Sequence, residues 1–167
     1  MEKLVIFVPH QDDETNLAGN ILSYLVKKYD VYVVYSSLEV NPDKASIRKK
    51  EAVNACAVYG IEKDNVIFLE FPDTPNRNGH HFFTDGDKSI TLKFEEILRK
   101  LMPEVIIGTD FDFHSDHRMV SLALDEAVFN IMNEIQTYTP LYLKGFCYET
   151  LLNGILATFV FFKSVAE

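Results

Sequence analysis

Short, unbroken runs of apolar residues alternate along the chain with longer stretches in which apolar residues recur every three or four positions. The short runs are typical of strands buried on both faces, and the longer pattern is typical of helices that bury one face. The predicted strands are residues 4–8, 31–35, 65–71, 104–108 and 141–148. The predicted helices are residues 15–28, 45–59 (closed by Gly60), 91–101 and 117–135. This alternation predicts an α/β fold of the Rossmann-like, doubly wound class, with a mainly parallel sheet of about five strands and helices on both faces.

Two segments stand outside this alternation. Residues 72–88 lack periodicity and predict a long loop, which is the kind of segment that often covers a functional site. Residues 151–162 are strongly apolar but shorter than the roughly 20 residues of a membrane span, so we expect a buried strand or helix there and no membrane span. No linker divides the chain, and 167 residues of which 47% are hydrophobic suit one core. We therefore expect a single domain over residues 1–167.

The net charge bears on the binding partners of the protein, and the number and spacing of its cysteines bear on its cellular compartment. The chain has 16 Lys and Arg residues against 25 Asp and Glu residues, and a net charge of −9 would repel a nucleic acid or an anionic membrane. Its two cysteines, Cys56 and Cys147, form no Cys-x-x-Cys motif, which argues against a disulfide framework and a thiolate metal cage. The apolar run at the N-terminus is too short for a signal peptide. We expect a cytoplasmic protein with no nucleic-acid partner.

Two polar clusters follow predicted strands directly. Residues 10–14 come after the first strand, and residues 110–117 come after the fourth. In an open α/β sheet, ligands bind beyond the carboxyl ends of the strands, so two segments remote in sequence can meet over one crevice. Asp73 follows the third strand and is expected at the same edge of the sheet.

The spacing inside each cluster points to a metal. His10 and Asp13 are three residues apart, as are His114 and His117, and that spacing lets side chains converge at the start of a helix. Two histidines and one carboxylate are a common ligand set for catalytic zinc, which keeps its fourth position for water. Zinc lowers the pKa of that water to about 7. A neighbouring carboxylate that is not a ligand would act as general base, and Asp12 is the natural candidate.

These residues resemble the motifs of the PIG-L/LmbE-like family of zinc-dependent de-N-acetylases. Residues 9–14, Pro-His-Gln-Asp-Asp-Glu, match its (A/P)HPDDE motif, and residues 114–118, His-Ser-Asp-His-Arg, match its HPDHR motif. Gln11 and Ser115 stand where the family usually has proline, and neither change removes a ligand. The likeness runs over about residues 4–120, and two motifs in the same order are more specific than either alone.

The resemblance implies a role for each matched residue. It implies three zinc ligands: His10, Asp13 and His117. Asp12 would be the general base that takes a proton from the zinc-bound water. His114 would stabilise the oxyanion and help to protonate the leaving amine, with Asp116 holding His114 in orientation. Arg48 and Asp73 are the candidate contacts to substrate.

The resemblance also implies a substrate, an N-acetylated sugar conjugate of the N-acetylglucosamine type from which the acetyl group is removed, and it leaves a homo-oligomer open. Family members are generally longer, so the chain is either a minimal member or a C-terminally truncated form. The first alternative is accordingly a catalytically impaired relic of the fold that binds a metal or a sugar. The second is a magnesium-dependent receiver-like domain or phosphohydrolase, since paired aspartates after a first strand also occur there. That reading leaves three histidines without a role: His10, His114 and His117.

Overall fold

The structure is a computed structural model that describes residues 1–73, 88–147 and 163–164. Its strands are β1 (Glu2–Val8), β2 (Tyr29–Leu38), β3 (Val66–Pro72), β4 (Val105–Thr109), β5 (Leu141–Gly145) and β6 (Lys163–Ser164). Its helices are α1 (Asp13–Leu25), α2 (Pro42–Tyr59), α3 (Ser89–Leu101) and α4 (Ser115–Glu134), and a 3-10 turn covers Lys63–Asn65. None of the helices in these ranges is long and apolar enough to cross a membrane.

One sheet carries all the described strands, in the order β3-β2-β1-β4-β5-β6. Strands β1 to β5 are parallel, and the short β6 pairs antiparallel with β5. The chain moves outward from β1 in one direction through β2 and β3, and then in the other through β4 and β5. The predicted doubly wound α/β fold is therefore confirmed, with its switch point between β1 and β4.

The two faces of the sheet bury separate clusters of side chains. On β1, Val5 and Phe7 pack with residues of α3 and α4, whereas Leu4, Ile6 and Val8 pack with residues of α1 and α2. Successive side chains of a strand point to opposite faces, so a strand covered on both faces must be apolar throughout. This is why β1 reads as an unbroken apolar run, and it places α1 and α4 in different layers.

The ends of the elements differ from the predicted ends in two informative places. Helix α1 begins at Asp13, inside the acidic cluster, rather than at Thr15. Strand β2 continues through Ser36, Ser37 and Leu38, three residues beyond its predicted end at residue 35. Ser37 is buried, and its backbone N–H donates to the Pro9 carbonyl oxygen at 2.9 Å. Backbone pairing with the segment that leaves β1 thus extends the strand although its side chains are polar.

Two predictions fall wholly or mainly beyond the described ranges: the long loop at 72–88, of which 74–87 lie outside, and the buried apolar segment at 151–162. The fifth strand was predicted to run to residue 148, but β5 ends at Gly145.

Candidate active site

The two polar clusters meet where β1 and β4 end. His10 lies just before α1, His114 precedes the first residue of α4, and His117 lies in the first turn of that helix. The ring centroids are 4.9 Å apart for His10 and His114, 5.5 Å for His10 and His117, and 5.0 Å for His114 and His117. Segments about a hundred residues apart in sequence therefore form one cluster of imidazoles, contributed by the helix starts of opposite layers.

Asp13 lies at the centre of this cluster and is fully buried. Its Oδ2 accepts the backbone N–H of His10 at 2.9 Å and lies 3.1 Å from His10 Nδ1 and 3.2 Å from His117 Nε2. Burial alone would raise the pKa of Asp13, but the contacts with the His10 and His117 rings outweigh it and hold the pKa well below its usual range. The other oxygen, Oδ1, has no hydrogen-bond partner among the described residues.

Each of two histidines also has a carboxylate on its far ring nitrogen. His10 Nε2 lies 2.9 Å from Asp116 Oδ2, and His117 Nδ1 lies 2.7 Å from Asp112 Oδ2. The Asp116 backbone N–H donates to His114 Nδ1 at 3.2 Å, and the Asp116 carboxylate contacts His10. That Asp116 holds His114 in orientation stays a prediction.

His114 is suited to donate a hydrogen bond. Because its Nδ1 accepts a backbone N–H at the start of α4, the proton of the neutral ring lies on Nε2. Burial lowers the pKa of His114, and the neighbouring His10 and His117 lower it further. The ring is therefore a neutral donor near pH 7.

The Asp12 carboxylate does not cap the helix that it precedes. Asp12 occupies the N-cap position of α1, yet its side chain forms no capping hydrogen bond. Partial burial and the adjacent Asp13 raise the pKa of Asp12, while positive charges, including Arg48, act in the opposite direction. An exposed carboxylate beside the buried cluster is free of the helix-capping role that aspartate often has at this position.

Arg48 and Asp73, the two predicted substrate contacts, lie at the periphery of the histidine cluster. Arg48 lies on the exposed side of α2, close enough to Asp12 to affect its pKa. Asp73 directly follows β3 at the carboxyl edge of the sheet, where the described chain stops before residue 74. The structure thus brings together six of the eight predicted residues: His10, Asp12, Asp13, His114, Asp116 and His117.

Two residues near the cluster were not predicted. Asp112 is buried behind His117, and Cys147 follows β5 with its Sγ 3.8 Å from the carbonyl oxygen of Asp13. The donor atoms of Asp13, His117 and Cys147 lie within 4.8 Å of one another. Burial raises the pKa of the Cys147 thiol, and nearby carboxylates, Asp13 first among them, raise it further.

The donor set fits zinc better than magnesium. Ring nitrogens of His10, His114 and His117 lie within 4.8 Å of one another, and a buried, ionised carboxylate stands beside them with one oxygen lacking a partner among the described residues. Imidazole and carboxylate donors suit zinc, whereas magnesium is held mainly by oxygen. The magnesium alternative loses support, because nitrogen donors fill the place where it needs oxygen.

A protein-family model described as PIG-L: GlcNAc-PI de-N-acetylase matches residues 5–128, which include both motifs. A comparison with curated protein sequences gave no significant match.

Solved structures of deacetylases share the fold. The N,N'-diacetylchitobiose deacetylase from Pyrococcus horikoshii is 20% identical, with a TM-score of 0.67 over 90% of this chain and 61% of that one. A deacetylase of the teicoplanin biosynthesis pathway is 17% identical, with a TM-score of 0.67 over 93% of this chain and 70% of that one. This chain therefore spans about three fifths of the chitobiose deacetylase and about 70% of the teicoplanin enzyme.

The same fold also occurs with a different chemistry. The 4-carboxy-2-hydroxymuconate hydratase from Pseudomonas putida KT2440 is 17% identical, with a TM-score of 0.63 over 87% of this chain and 65% of that one. At such identities the likeness establishes the fold, and the reaction has to be argued from the residues of the site.

Proposed function

Because the chain belongs to the PIG-L family of GlcNAc-PI de-N-acetylases, we propose that it hydrolyses the acetamide group of an N-acetylated sugar conjugate. One observation carries the proposal: His10, Asp13 and His117 converge on a single buried point, where a second Asp13 oxygen has no partner among the described residues. Water has to be activated for amide hydrolysis at neutral pH, and a metal held at such a point does this.

The proposed zinc ligands are His10, Asp13 and His117, and the bound ion would supply a water of lowered pKa together with a Lewis acid for the carbonyl oxygen. The ionised state of Asp13 supports the assignment, because a ligand carboxylate must be deprotonated. The two histidines support it as well, because each presents one ring nitrogen to Asp13 while the other faces a second carboxylate.

Asp12 and His114 are the proposed catalytic residues. Asp12 would accept the proton of the attacking water, and its raised pKa makes the carboxylate a stronger base. His114 would donate a hydrogen bond from Nε2 to the oxyanion of the tetrahedral intermediate. When the C–N bond breaks, the leaving nitrogen takes the proton that Asp12 accepted from the water, with His114 helping the transfer, and the products are acetate and the free amino sugar.

The sugar is proposed on the strength of the family. Arg48 stands on α2 near Asp12, where a guanidinium can donate to a hydroxyl or a phosphate of the conjugate, and Asp73 at the end of β3 can accept from a hydroxyl. Cys56 and Cys147 are both free thiols, which supports a reducing, cytoplasmic location.

The decisive test combines metal content with acetate release. We expect about one zinc per chain, and acetate release from N-acetylglucosamine or diacetylchitobiose. Asp12→Asn should lower kcat roughly 100-fold or more, since general bases contribute about 10²- to 10⁴-fold, while zinc content stays unchanged. Asp64→Asn, at an exposed aspartate in the 3-10 turn, is the matched control and should keep full activity.

Other outcomes point to the alternatives. Bound zinc without acetate release from either sugar would support a metal- or sugar-binding relic of the fold. Binding of magnesium in place of zinc would overturn the assignment of the three ligands.

A further inference from the structure

Asp112 is the buried carboxylate that neither motif contains. It lies between β4 and α4 and is 2% exposed, although Phe111 and Phe113 on either side are 50% and 57% exposed. Its backbone N–H donates to the Asp110 carbonyl oxygen at 2.9 Å, and its own carbonyl oxygen accepts from the Arg118 side chain. The backbone is thus fixed on both sides, which directs this side chain inward.

Both carboxylate oxygens of Asp112 are used as acceptors. Oδ1 accepts the backbone N–H of His114 at 2.8 Å, and Oδ2 lies 2.7 Å from His117 Nδ1. One side chain therefore holds the start of α4, where His114 stands, and the ring of His117. We propose that Asp112 is a positioning residue of the metal centre, which fixes the tautomer and the ring orientation of His117. This inference rests on the proposed function.

The tautomer follows from the chemistry of the pair. An ionised carboxylate only accepts hydrogen bonds, so the His117 nitrogen facing it must be the donor. With the proton on Nδ1, the lone pair of the neutral ring lies on Nε2, and Nε2 is the nitrogen 3.2 Å from Asp13 Oδ2. Asp112 thereby aims the metal-binding lone pair of His117 at the point shared by the proposed ligands.

His10 shows the mirror arrangement, which supports this interpretation. Asp116 Oδ2 lies 2.9 Å from His10 Nε2, and the opposite nitrogen, Nδ1, lies 3.1 Å from Asp13 Oδ2. The two histidines face Asp13 with different ring nitrogens, yet each has a carboxylate behind it. Such outer carboxylates typically change metal affinity by about 10- to 100-fold.

Asp112→Asn tests the proposal with almost no change of shape. An amide has one acceptor oxygen and one donor NH₂, so it cannot accept from both His114 and His117. Either one hydrogen bond is lost, or the amide NH₂ donates to His117 Nδ1 and the proton of the neutral ring moves to Nε2, the nitrogen that faces the metal. We expect the zinc Kd, measured by competition with a chelator of known affinity, to rise about 10- to 100-fold.

Asp110→Asn is the matched control. Asp110 is two residues away, its Oδ1 accepts the backbone N–H of Phe111 at 2.8 Å, and its carboxylate lies 3.6 Å from the Lys144 ammonium. Its zinc Kd should stay within about twofold of that of the unchanged protein, since these two side-chain contacts, to Phe111 and Lys144, involve none of the proposed ligands. An Asp112→Asn protein that folds and binds zinc as tightly as the unchanged protein would overturn the proposal.

A measurement on the unchanged protein decides the question if Asp112→Asn does not fold. Long-range ¹H–¹⁵N correlation spectra of the zinc-loaded chain should show the proton of His117 on Nδ1 and the metal on Nε2. The opposite arrangement would refute the role of Asp112. Because zinc affinity and the tautomer are read independently of acetate release, a protein that binds zinc but hydrolyses no amide would refute the proposed reaction alone.

Discussion

Asp12 and Asp13 are adjacent in sequence but lie in opposite environments. Asp13 is buried between two imidazoles that stabilise its charge, whereas Asp12 is partly desolvated and lies beside another carboxylate that opposes its charge. The pKa of Asp13 is therefore lowered and that of Asp12 is raised. Such a divergence separates a charged ligand from a proton acceptor, because a ligand must stay ionised and a base must bind a proton.

Cys56 provides a prediction at the scale of a single side chain. It is fully buried, its Sγ lies 3.6 Å from the Tyr35 hydroxyl, and burial raises the pKa of its thiol to about 11. At about pH 8 only about a thousandth of such a thiol is ionised, and the thiolate is the reactive form. We expect iodoacetamide to leave Cys56 unlabelled in the native protein and to label it in concentrated urea.

Peptide mapping by mass spectrometry distinguishes Cys56 from Cys147. Labelling of Cys56 in the native protein at the rate of an exposed cysteine would contradict the packing described for the layer of α1 and α2.

The sequence could predict which residues approach one another, but not how they pair. The positions of His10, Asp13 and His117 followed from their spacing and from their place after parallel strands. The partner of each outer carboxylate depends on side-chain torsions and on the path of the segment between β4 and α4. Asp112 and Cys147 gave no signal, because an aspartate between two phenylalanines and a lone cysteine have no periodicity to interpret.

At the scale of the elements, the site depends on the close approach of α4 to β4. A Cβ added to Gly108 in β4 would lie 2.4 Å from Leu124 Cδ2 of α4, and Leu124 is fully buried in the core. The absence of a side chain at this position lets α4 lie against the sheet. Since α4 carries His117, this contact also sets the height of one proposed ligand above the end of β4.

Gly108→Ala should therefore destabilise the protein. Overpacking a well-filled core costs about 1–3 kcal/mol of the free energy of unfolding, which urea denaturation can measure. The added methyl group and the Leu124 side chain compete for the same space, so Gly108→Ala combined with Leu124→Ala should destabilise less than the sum of the two single changes. Additive effects would show that the added methyl group is accommodated without displacing Leu124.

The elements themselves were largely predictable. Gly60 closes α2 with a φ of 95°, as its position in the sequence predicted. The extension of β2 through Ser36 and Ser37 was missed, since the apolar pattern ends at Tyr35 and what continues the strand is backbone pairing. Side-chain hydrophobicity predicts burial, but it does not show that the backbone N–H of Ser37 pairs with the Pro9 carbonyl oxygen of a distant segment.

At the scale of the whole molecule, the site joins the two layers of helices that cover the sheet. Asp13 belongs to α1 on one face of the sheet, and His117 belongs to α4 on the other. A metal bound by both would therefore stabilise the entire fold. The unfolded chain does not hold these ligands together, so the metal binds the folded state more tightly. Binding therefore shifts the folding equilibrium toward the folded state.

Zinc should accordingly raise the melting temperature. At a free concentration of about 100 times its Kd, a ligand adds about 2.7 kcal/mol to the free energy of unfolding, or roughly 5–10 °C in Tm for a chain of this size. Differential scanning fluorimetry should show this shift, and its loss on adding EDTA. His117→Ala should show no zinc-dependent shift, and an equal shift in that variant would place the metal elsewhere.

The pairing of β1 with β4 aligns Leu4 with Val105. The sheet that carries the site therefore forms only when residues about a hundred positions apart in sequence come into contact. Bringing such distant segments together costs loop-closure entropy, which delays non-local contacts during folding. The proposed ligands are brought together by this same closure. We therefore expect a metal bound by them to act mainly on the barrier to unfolding, and so to prolong the lifetime of the native state.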